Sequence, residues 1–456
     1  MSLSEQLGGI LHDLQHMTAE ITLIAGALLV LIIGLFKPSQ IVLKSIVALA
    51  FLLVFMHVMR NEEMLFGDMM FQSNLSGQFI KLFSITGLAI LFFPTSENQK
   101  SSYYFTILMI MLGAIMMTQA MHLLLIYLSI EMVSYGSYVL TNFSFNKKSH
   151  EASLKYLLFG GVSSAIMLFG MSMLYGVSGS LLMADISNLS MYGQVGAVMF
   201  LAGVLFKISA VPVHIWTPNV YQAAPVDAVT FFSIVPKLAG LVLLQNILSK
   251  LHWGHEIALF LGILTILIGT FGALKQTNVR RLISYGSIAH TGFLIPFVVL
   301  AIPGDLFVWY VSIYTIMNIG IFYIIGQFEK RRIFELPDYA GLGKRLSMFG
   351  VLMTVVLIAL VGLPPTAGFT AKWLLASSLW AHYQLGNDPL ILTYLIVAVF
   401  ATAVALFYYL RVPFFMFLKS GESEIEKPSL IVHLIAGLIA LLLLVLFFAP
   451  GLIFSF

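Results

Sequence analysis

Residues 206–219 read FKISAVPVHIWTPN, and they place a lysine, a histidine and two prolines within a long apolar run. Proline lacks the backbone donor that a helix interior needs, so a helix through this run is interrupted near Pro212. Lys207 stands beside that interruption. In a membrane such a cation costs roughly 2.5–3.5 kcal/mol and is retained only with a partner or a wet cavity. The stretch therefore predicts a broken membrane helix that holds a functional cation.

A second stretch repeats this combination later in the chain. Residues 362–373 read GLPPTAGFTAKW, in which Pro364 and Pro365 interrupt the helix and Lys372 lies just beyond them. Broken helices at membrane depth are tolerated only where the freed backbone is buried in protein or lines a cavity. A pair of them in corresponding positions of two halves indicates an inverted-repeat transporter.

The composition is that of an integral membrane protein. Of 456 residues, 60% are hydrophobic and 9% are charged, against about 45–50% and ~25% in soluble domains. The apolar runs are continuous, which excludes a β-barrel, and each reaches the length of about 20 residues that a spanning helix needs. We predict about fourteen spans: 19–36, 41–59, 76–95, 102–118, 120–141, 152–176, 192–222 with a break, 226–249, 256–273, 281–301, 305–328, 347–381 with a break, 390–418 and 429–454.

These spans predict an all-α fold with two inverted five-helix repeats. The breaks fall in spans seven and twelve, five helices apart, and an odd number of helices makes successive units enter the membrane from opposite sides. Spans four to eight and nine to thirteen then form the repeats. The predicted division is residues 1–101 for three N-terminal helices, 102–250 and 251–418 for the two repeats, and 419–456 for the C-terminal helix.

The absence of cysteine limits the chemistry of this chain. It excludes thiolate-held iron–sulfur clusters, thiolate zinc sites and disulfides within the chain. No strand is evident in the sequence, and no glycine-rich phosphate loop follows one. Redox or nucleotide chemistry is therefore expected on partner chains.

The distribution of Lys and Arg predicts the orientation in the membrane. Most of these residues fall in odd-numbered connections, including Lys147, Arg280, Lys330 and Lys427, whereas even-numbered connections carry little beyond Lys250 and Arg60. Odd connections are thus expected in the cytoplasm and both termini on the opposite face. The N-terminal tail, residues 1–20, lacks the basic region of a signal peptide, so the first helix is expected to remain.

Glu131 lies near the middle of the fifth predicted span. Ser134, Tyr135 and Tyr138 follow it at helical spacing and predict one polar stripe. One interpretation is a protonated glutamic acid hydrogen-bonded between helices. The other is a carboxylate paired with a lysine of a neighbouring helix, so that separation of the pair changes its proton affinity.

Two further lysines lie within spans. Lys237 directly follows Pro236, whose ring frees a carbonyl that is able to accept a hydrogen bond from the ammonium. Lys155 follows Glu151 by four residues near the start of span six. That spacing suits an exposed ion pair, so the sequence leaves a solvated pair and a buried relay residue as alternatives for Lys155.

His290 lies within a predicted span, on a helix face that is rich in hydroxyl groups. Ser284, Ser287 and Thr291 lie roughly along the same face of the tenth predicted span. With an unperturbed pKa near 6.5, histidine is suited to moving protons. A buried structural histidine is the alternative, but the row of hydroxyl groups favours ordered water.

At these residues the sequence resembles the antiporter-like subunits of respiratory complex I, which are related to multisubunit cation/proton antiporters. The resemblance covers about spans four to thirteen and rests on the Glu131 helix and on the runs FKISAVPVHIWTPNVYQAAP, TNVRRLISYGSIAHTG and GLPPTAGFTAKW. It implies fourteen helices with two inverted repeats and proton pumping driven by quinone chemistry elsewhere in the complex. NADH, FMN, iron–sulfur clusters and quinone are expected in partner subunits and no cofactor in this chain.

The resemblance also implies roles for individual residues. Glu131 and Lys207 match the family's paired glutamate and lysine of the first half-channel, Lys237 its central lysine, and Lys372 its terminal proton-exchange residue. Three others match intervening positions of the polar axis: Lys155, His214 and His290.

The chain departs from the family pattern at Arg280, where a lysine is usual. Arginine does not release its proton, so a fixed charge is expected there.

Among subunit types, the L-type is much longer and the M-type usually carries glutamate in place of Lys372. Expected partners are other complex I membrane subunits, including the M-type and small subunits, and the lipid bilayer of a bacterial inner membrane, without nucleic acid. Subunits of sodium/proton antiporters or membrane-bound hydrogenases share the motifs, and a non-transporting scaffold is the alternative of another class.

Overall fold

The structure is a computed structural model that describes residues 17–60, 64–66, 70–93, 100–186, 189–300, 302–421 and 428–452. Most of the N-terminal tail and the predicted cytoplasmic residue Lys427 lie outside the described residues.

The described chain is almost entirely helical, which confirms the all-α class. A helix lies at the position of each predicted span. The helices are α1 Thr18–Gly34, α2 Gln40–Arg60, α3 Asn74–Ile90, α4 Ser101–Gln119, α5 Leu123–Thr141, α6 Lys147–Ser178, α7 Met191–Ile208, α8 Thr217–Ala223, α9 Val226–Leu248, α10 Gly254–Leu274, α11 Val279–Leu294, α12 Pro296–Val299, α13 Gly304–Glu329, α14 Leu342–Arg345, α15 Ser347–Val361, α16 Ala367–Gly386, α17 Pro389–Leu418 and α18 Leu430–Phe448. Short 3-10 turns cover Asn142–Ser144, Met183–Ile186, Leu336–Tyr339 and Pro450–Leu452.

Eleven candidate membrane spans occur within the described ranges, by length and composition. Two shorter apolar helices, α1 and α15, accompany them. The chain is therefore a multi-span membrane protein.

The expectation that the chain has no strands is wrong in one place. Two short strands, β1 Met64–Phe66 and β2 Met70–Gln72, pair antiparallel in the connection between α2 and α3. Strands of three residues are too short to show the period-two alternation by which a strand is recognised in a sequence.

Both predicted interruptions are present. Helix α7 ends at Ile208 and α8 begins at Thr217, while α15 ends at Val361 and α16 begins at Ala367. A residue with left-handed backbone follows each first half, Ser209 with φ 61° and Gly362 with φ 84°. Such a residue is the usual way to end a helix, because it lets backbone N–H groups turn back to the last carbonyls. Each interruption also contains a cis peptide bond before a proline, Val211-Pro212 and Pro364-Pro365.

The first compact unit comprises the described residues of Met1–Ile208 and Ala223–His252. At its centre lies α9, whose apolar window is entirely buried. This helix packs against α3, α4 and α7. A helix buried on all sides has no solvated or lipid-facing stripe, so the polar side chains it carries must be accommodated inside the protein.

The second compact unit comprises Ser209–Gln222 and the described residues of Trp253–Phe456. Helices α11 and α13 are its most buried spans. Helix α17 packs against α10, α15 and α16. The interruption after α7, together with α8 as far as Gln222, belongs to this unit.

Candidate functional site

Glu131 is buried in the first unit and is held by a neighbouring helix. It lies on α5, and the hydroxyl group of Ser164 on α6 donates a hydrogen bond to its Oε1. The predicted polar stripe is only partly internal, because Ser134 and Tyr138 are buried whereas Tyr135 is 60% exposed. The carboxyl group therefore has an internal partner, but this partner is a hydroxyl group of α6.

Lys207 lies in the last turn of α7 and is 3% exposed. Its Nζ lies 5.2–5.7 Å from the ring centroids of Phe206, Tyr138 and Tyr156. No hydrogen-bond partner for this Nζ is found among the described residues. A cation is favoured at a helix C-terminus and over aromatic faces.

Lys237 is 1% exposed and lies on α9, beside α7. Gly240, one turn later, approaches α7 so closely that an added Cβ would lie 2.6 Å from the Ile208 side chain and 3.6 Å from the Lys207 Cβ. Residues three apart share a helix face, so Lys237 lies on the face of α9 that meets α7. Lys207 and Lys237 therefore lie on two helices of the first unit that are in close contact at this point.

The predicted residue Lys155 has a different environment. Its ammonium pairs with Glu151, and the two side chains are 47% and 59% exposed in the isolated chain. This placement fits the solvated-pair alternative, and a relay role for Lys155 stays a prediction. His214 lies in the interruption between α7 and α8, half-buried, and its Nδ1 has no hydrogen-bond partner among the described residues.

In the second unit, His290 and Lys372 converge on one backbone oxygen. His290 Nε2 lies 3.2 Å from the carbonyl oxygen of Leu360. Lys372 Nζ donates to the same oxygen at 3.4 Å and to that of Val361 at 2.8 Å. Both carbonyl groups belong to the last turn of α15, where no further helical N–H is available to them. The interruption therefore supplies the acceptors that a cation at membrane depth requires.

A cavity of about 260 Å³ adjoins Lys372. Phe293, Trp373 and Ala398 are among its apolar lining residues, and Lys372 is its one charged lining residue. Lys372 Nζ lies 4.6 Å from the centroid of the Phe293 ring. The lysine thus stands between the freed carbonyl groups and an open space.

Two tyrosines that the sequence did not single out extend this polar site. The Tyr310 hydroxyl lies 3.3 Å from His290 Nδ1, and the Tyr314 hydroxyl lies 2.9 Å from Ser287 Oγ. Helices α11 and α13 carry further buried polar residues, including Asn318. Aromatic residues in an apolar span read as core packing, so the sequence carried no signal for their hydroxyl groups.

Arg280 forms an ion pair whose partner the sequence did not indicate. Its guanidinium group binds both carboxylate oxygens of Glu329, the last residue of α13, and its Nη1 donates to the Tyr221 carbonyl oxygen at 3.2 Å. These side chains are 10% and 12% exposed. Such two-pronged pairing is the strongest arrangement for a guanidinium and a carboxylate.

No group of three or more metal-ligating side chains occurs in the described ranges. The chain has no cysteine either. The side chains at the sites above carry amine, carboxyl, imidazole and hydroxyl groups.

The fold and these sites define a polytopic membrane protein with two interrupted helices, each of which carries a lysine beside its interruption. More specifically, the chain belongs to the NADH:quinone oxidoreductase/Mrp antiporter transmembrane family, whose model matches residues 120–400. The match includes every predicted site residue from Glu131 to Lys372.

Individual relatives and structures agree with this assignment. The chain is 33% identical to NADH-quinone oxidoreductase subunit N 2 of Sorangium cellulosum, over 93% of this chain and 92% of that protein. It is 32% identical to subunit N of Chlorobium chlorochromatii, over 91% and 88%. A chain of respiratory complex I from Thermus thermophilus with bound aureothin superposes with a TM-score of 0.83 at 25% identity, over 95% of this chain and 98% of that one. A chain of the Mrp complex from Dietzia shares the fold, with a TM-score of 0.81 at 18% identity over 97% and 95%.

Proposed function

We propose that this chain is the N subunit of a bacterial NADH:quinone oxidoreductase and translocates protons across the membrane. The relatives named subunit N support the assignment, and the length of the chain and Lys372 agree with it. The observation that carries the transport proposal is the placement of Lys207 and Lys237, both buried, on two helices that pack closely against each other. A scaffold has no need of two cations in a protein interior, where each costs desolvation energy.

The proposed architecture is fourteen spans with two inverted repeats, residues 102–250 and 251–418. Residues 1–101 would add three helices before the repeats and 419–456 one helix after them. In the first repeat, Lys207 lies at the helix end just before the interruption. In the second, Lys372 follows the interruption and donates a hydrogen bond to the helix end before it. These two arrangements support equivalence of the two repeats.

The proposed mechanism is electrostatic. When Glu131 and Lys207 approach each other, the carboxylate stabilises the ammonium. When they separate, the ammonium loses that stabilisation and its proton passes towards Lys237. Two unit charges at ~4 Å interact by roughly 4 kcal/mol at an effective dielectric constant near 20. This exceeds the ~2.3 kcal/mol needed to move one charge across 100 mV.

We propose that the relay continues in the second unit through His290 to Lys372. His290 Nε2 and Lys372 Nζ both lie within hydrogen-bond distance of the Leu360 carbonyl oxygen. The cavity beside Lys372 offers room for water. Lys155 and His214 remain proposed intermediate stations. Electron transfer from NADH through FMN and iron–sulfur clusters to quinone would occur in partner subunits. Those partners are proposed to include an M-type subunit and small membrane subunits in the bacterial inner membrane.

The test is Lys237→Met in the complete complex. We expect quinone-coupled proton pumping in inverted vesicles to fall at least tenfold, because methionine fills a similar space but holds no proton. Lys250→Met is the matched control, since Lys250 is exposed just after α9 and should leave pumping intact. Assembly is verified by the subunit composition of the purified complex. An assembled Lys237→Met complex with the native proton-to-electron ratio would refute the relay.

A subunit of a sodium/proton antiporter is the second candidate, and the fold shared with the Mrp chain favours it. The two functions differ in the transported ion. Pumping that requires sodium, or that exchanges sodium for protons without NADH oxidation, would establish the second candidate.

A further inference from the structure

Helix α8 is too short to be stable without contacts from the elements around it. It has seven residues, Thr217–Ala223, and directly follows the interruption that carries His214. Isolated helices of fewer than about 12 residues are marginal in water, and the last four carbonyl groups of any helix lack helical donors. The position of α8 therefore depends on contacts from the surrounding elements of the second unit.

Arg281 supplies two hydrogen bonds of this kind. Its Nη1 donates to Asn219 Oδ1 at 2.8 Å and to Gln222 Oε1 at 3.2 Å. Its Nε donates to Gln276 Oε1 at 3.0 Å, which fixes the guanidinium plane relative to α11. Asn219 and Gln222 are three residues apart and thus share a face of α8. The Arg281 side chain of α11 therefore binds that face of α8 at two points.

Arg280, the preceding residue, donates a hydrogen bond to the backbone of α8. Its Nη1 donates to the carbonyl oxygen of Tyr221, which lies in the last turn of α8. Its other nitrogens bind Glu329 of α13, so the arginine is itself anchored. The negative end of a helix dipole favours cations, and both arginines lie at the C-terminal end of α8. Hydrophobic packing adds Tyr221 against Phe322, with ring centroids 5.9 Å apart.

We propose that Arg280 and Arg281 form a clamp that positions α8, and with it the interruption that carries His214. These are positioning residues, since neither is placed on the proton path. Arginine suits the role because it stays charged while protons move nearby, and because its planar group binds several acceptors at once. A lysine reaches fewer of these acceptors. The consequence for pumping rests on the proposed function, whereas the clamp itself does not.

The clamp is tested by thiol protection in the assembled complex. Val220 of α8 is fully buried, and the chain has no cysteine, so Val220→Cys introduces the one thiol of this chain. Labelling of this subunit by a small maleimide is followed after the subunits are separated. We expect slow labelling with native arginines and at least tenfold faster labelling with Arg281→Leu. Lys275→Leu is the control, because it removes an exposed cation from the connection before α11 and should leave labelling slow.

A second set of variants tests the clamp in case Arg281→Leu prevents assembly of the complex. Asn219→Ala and Gln222→Ala, combined, remove the two acceptors on α8 and should raise labelling of Val220→Cys in the same way. Arg281→Lys should give an intermediate rate. Equal labelling rates in native, Arg281→Leu and double-alanine backgrounds would overturn the clamp.

Pumping gives an independent readout. We expect the proton-to-electron ratio to fall in Arg281→Leu and to recover in part in Arg281→Lys. Faster labelling with an unchanged proton-to-electron ratio supports the clamp and removes α8 from the proton path. Slow labelling with lost pumping overturns the clamp and leaves the proposed function in place.

Discussion

The lysines at the two interruptions are stabilised in different ways. Lys207 Nζ lies among three aromatic rings and has no hydrogen-bond partner among the described residues. Lys372 Nζ has two carbonyl oxygens as acceptors. These environments fit the proposed roles, in which Lys207 loses its proton when Glu131 moves away and Lys372 is the terminal proton-exchange residue.

Tyr310→Phe tests the hydrogen bond to His290. Removal of the hydroxyl group withdraws a partner from His290 Nδ1 in a buried site, at a cost of about 1–2 kcal/mol. If His290 transfers protons, the rate of proton pumping should fall roughly 5- to 30-fold. Pumping in inverted vesicles measures it, with Tyr175→Phe as control because Tyr175 is 52% exposed. Equal pumping by both variants would show that this hydroxyl group has no part in proton transfer.

The sequence identified the cations of the site and missed most of their partners. Lys207, Lys237 and Lys372 stand out because an apolar neighbourhood makes any charge conspicuous. Glu329 does not, since a carboxylate at a helix end reads as an exposed surface charge, yet it binds Arg280. Lys155 was undecidable because its spacing from Glu151 satisfies an exposed pair and a buried one alike. Partners that lie far along the chain depend on tertiary packing, which local patterns do not encode.

The broken helices are specified by backbone geometry as well as by proline. The sequence places the breaks at Pro212 and at Pro364, but the first half-helices end earlier, at Ile208 and Val361. Ser209 and Gly362 provide the left-handed turn that ends them. Only the glycine is conspicuous in the sequence, because serine adopts this conformation at a cost and is not a recognised signal for it. Prolines therefore predict that a helix breaks, and the turn residue determines where.

Gly362→Ala tests the turn in front of Lys372. At φ 84° an alanine is strained by about 1–2 kcal/mol, and its Cβ would lie 2.7 Å from Lys372 Cδ. We expect displacement of the lysine, a lower inactivation temperature of the purified complex and reduced pumping.

Gly176→Ala is the matched control for that substitution. Gly176 lies within α6, and nothing would be within 4 Å of its added Cβ. Because alanine favours helix over glycine, this variant should be neutral or slightly more stable. Gly362→Ala with the inactivation temperature and pumping of Gly176→Ala would show that the turn tolerates a side chain and that Lys372 is not constrained by it.

At the scale of the whole molecule, hydrogen bonds within the second unit support the alternation of connections across the membrane. Arg280 joins the start of α11 to the ends of α8 and α13, which are the connections after spans nine, seven and eleven. His255 Nε2 and Asp388 Oδ2, 2.9 Å apart, join the starts of α10 and α17, which follow the connections after spans eight and twelve. Odd connections thus meet odd ones, and even meet even. Direct bonds of this length require the joined ends to lie close together, as the predicted alternation of connections requires, and the number of spans stays a prediction.

The assignment of odd connections to the cytoplasm leads to a labelling prediction. Lys330 follows α13 in an odd connection and is exposed, and Leu385, 87% exposed, lies near the end of α16 before an even connection. Cysteine at each position in turn is the one thiol of the chain, because the native sequence has none. A membrane-impermeant thiol reagent should label Leu385→Cys in intact spheroplasts and Lys330→Cys in inverted vesicles, and both after permeabilisation. Lys and Arg are retained on the cytoplasmic side during insertion, which is the physical reason for this expectation. The reverse pattern would mean that the whole chain is inverted, and labelling of both positions from one side would contradict the number of crossings between α13 and α16.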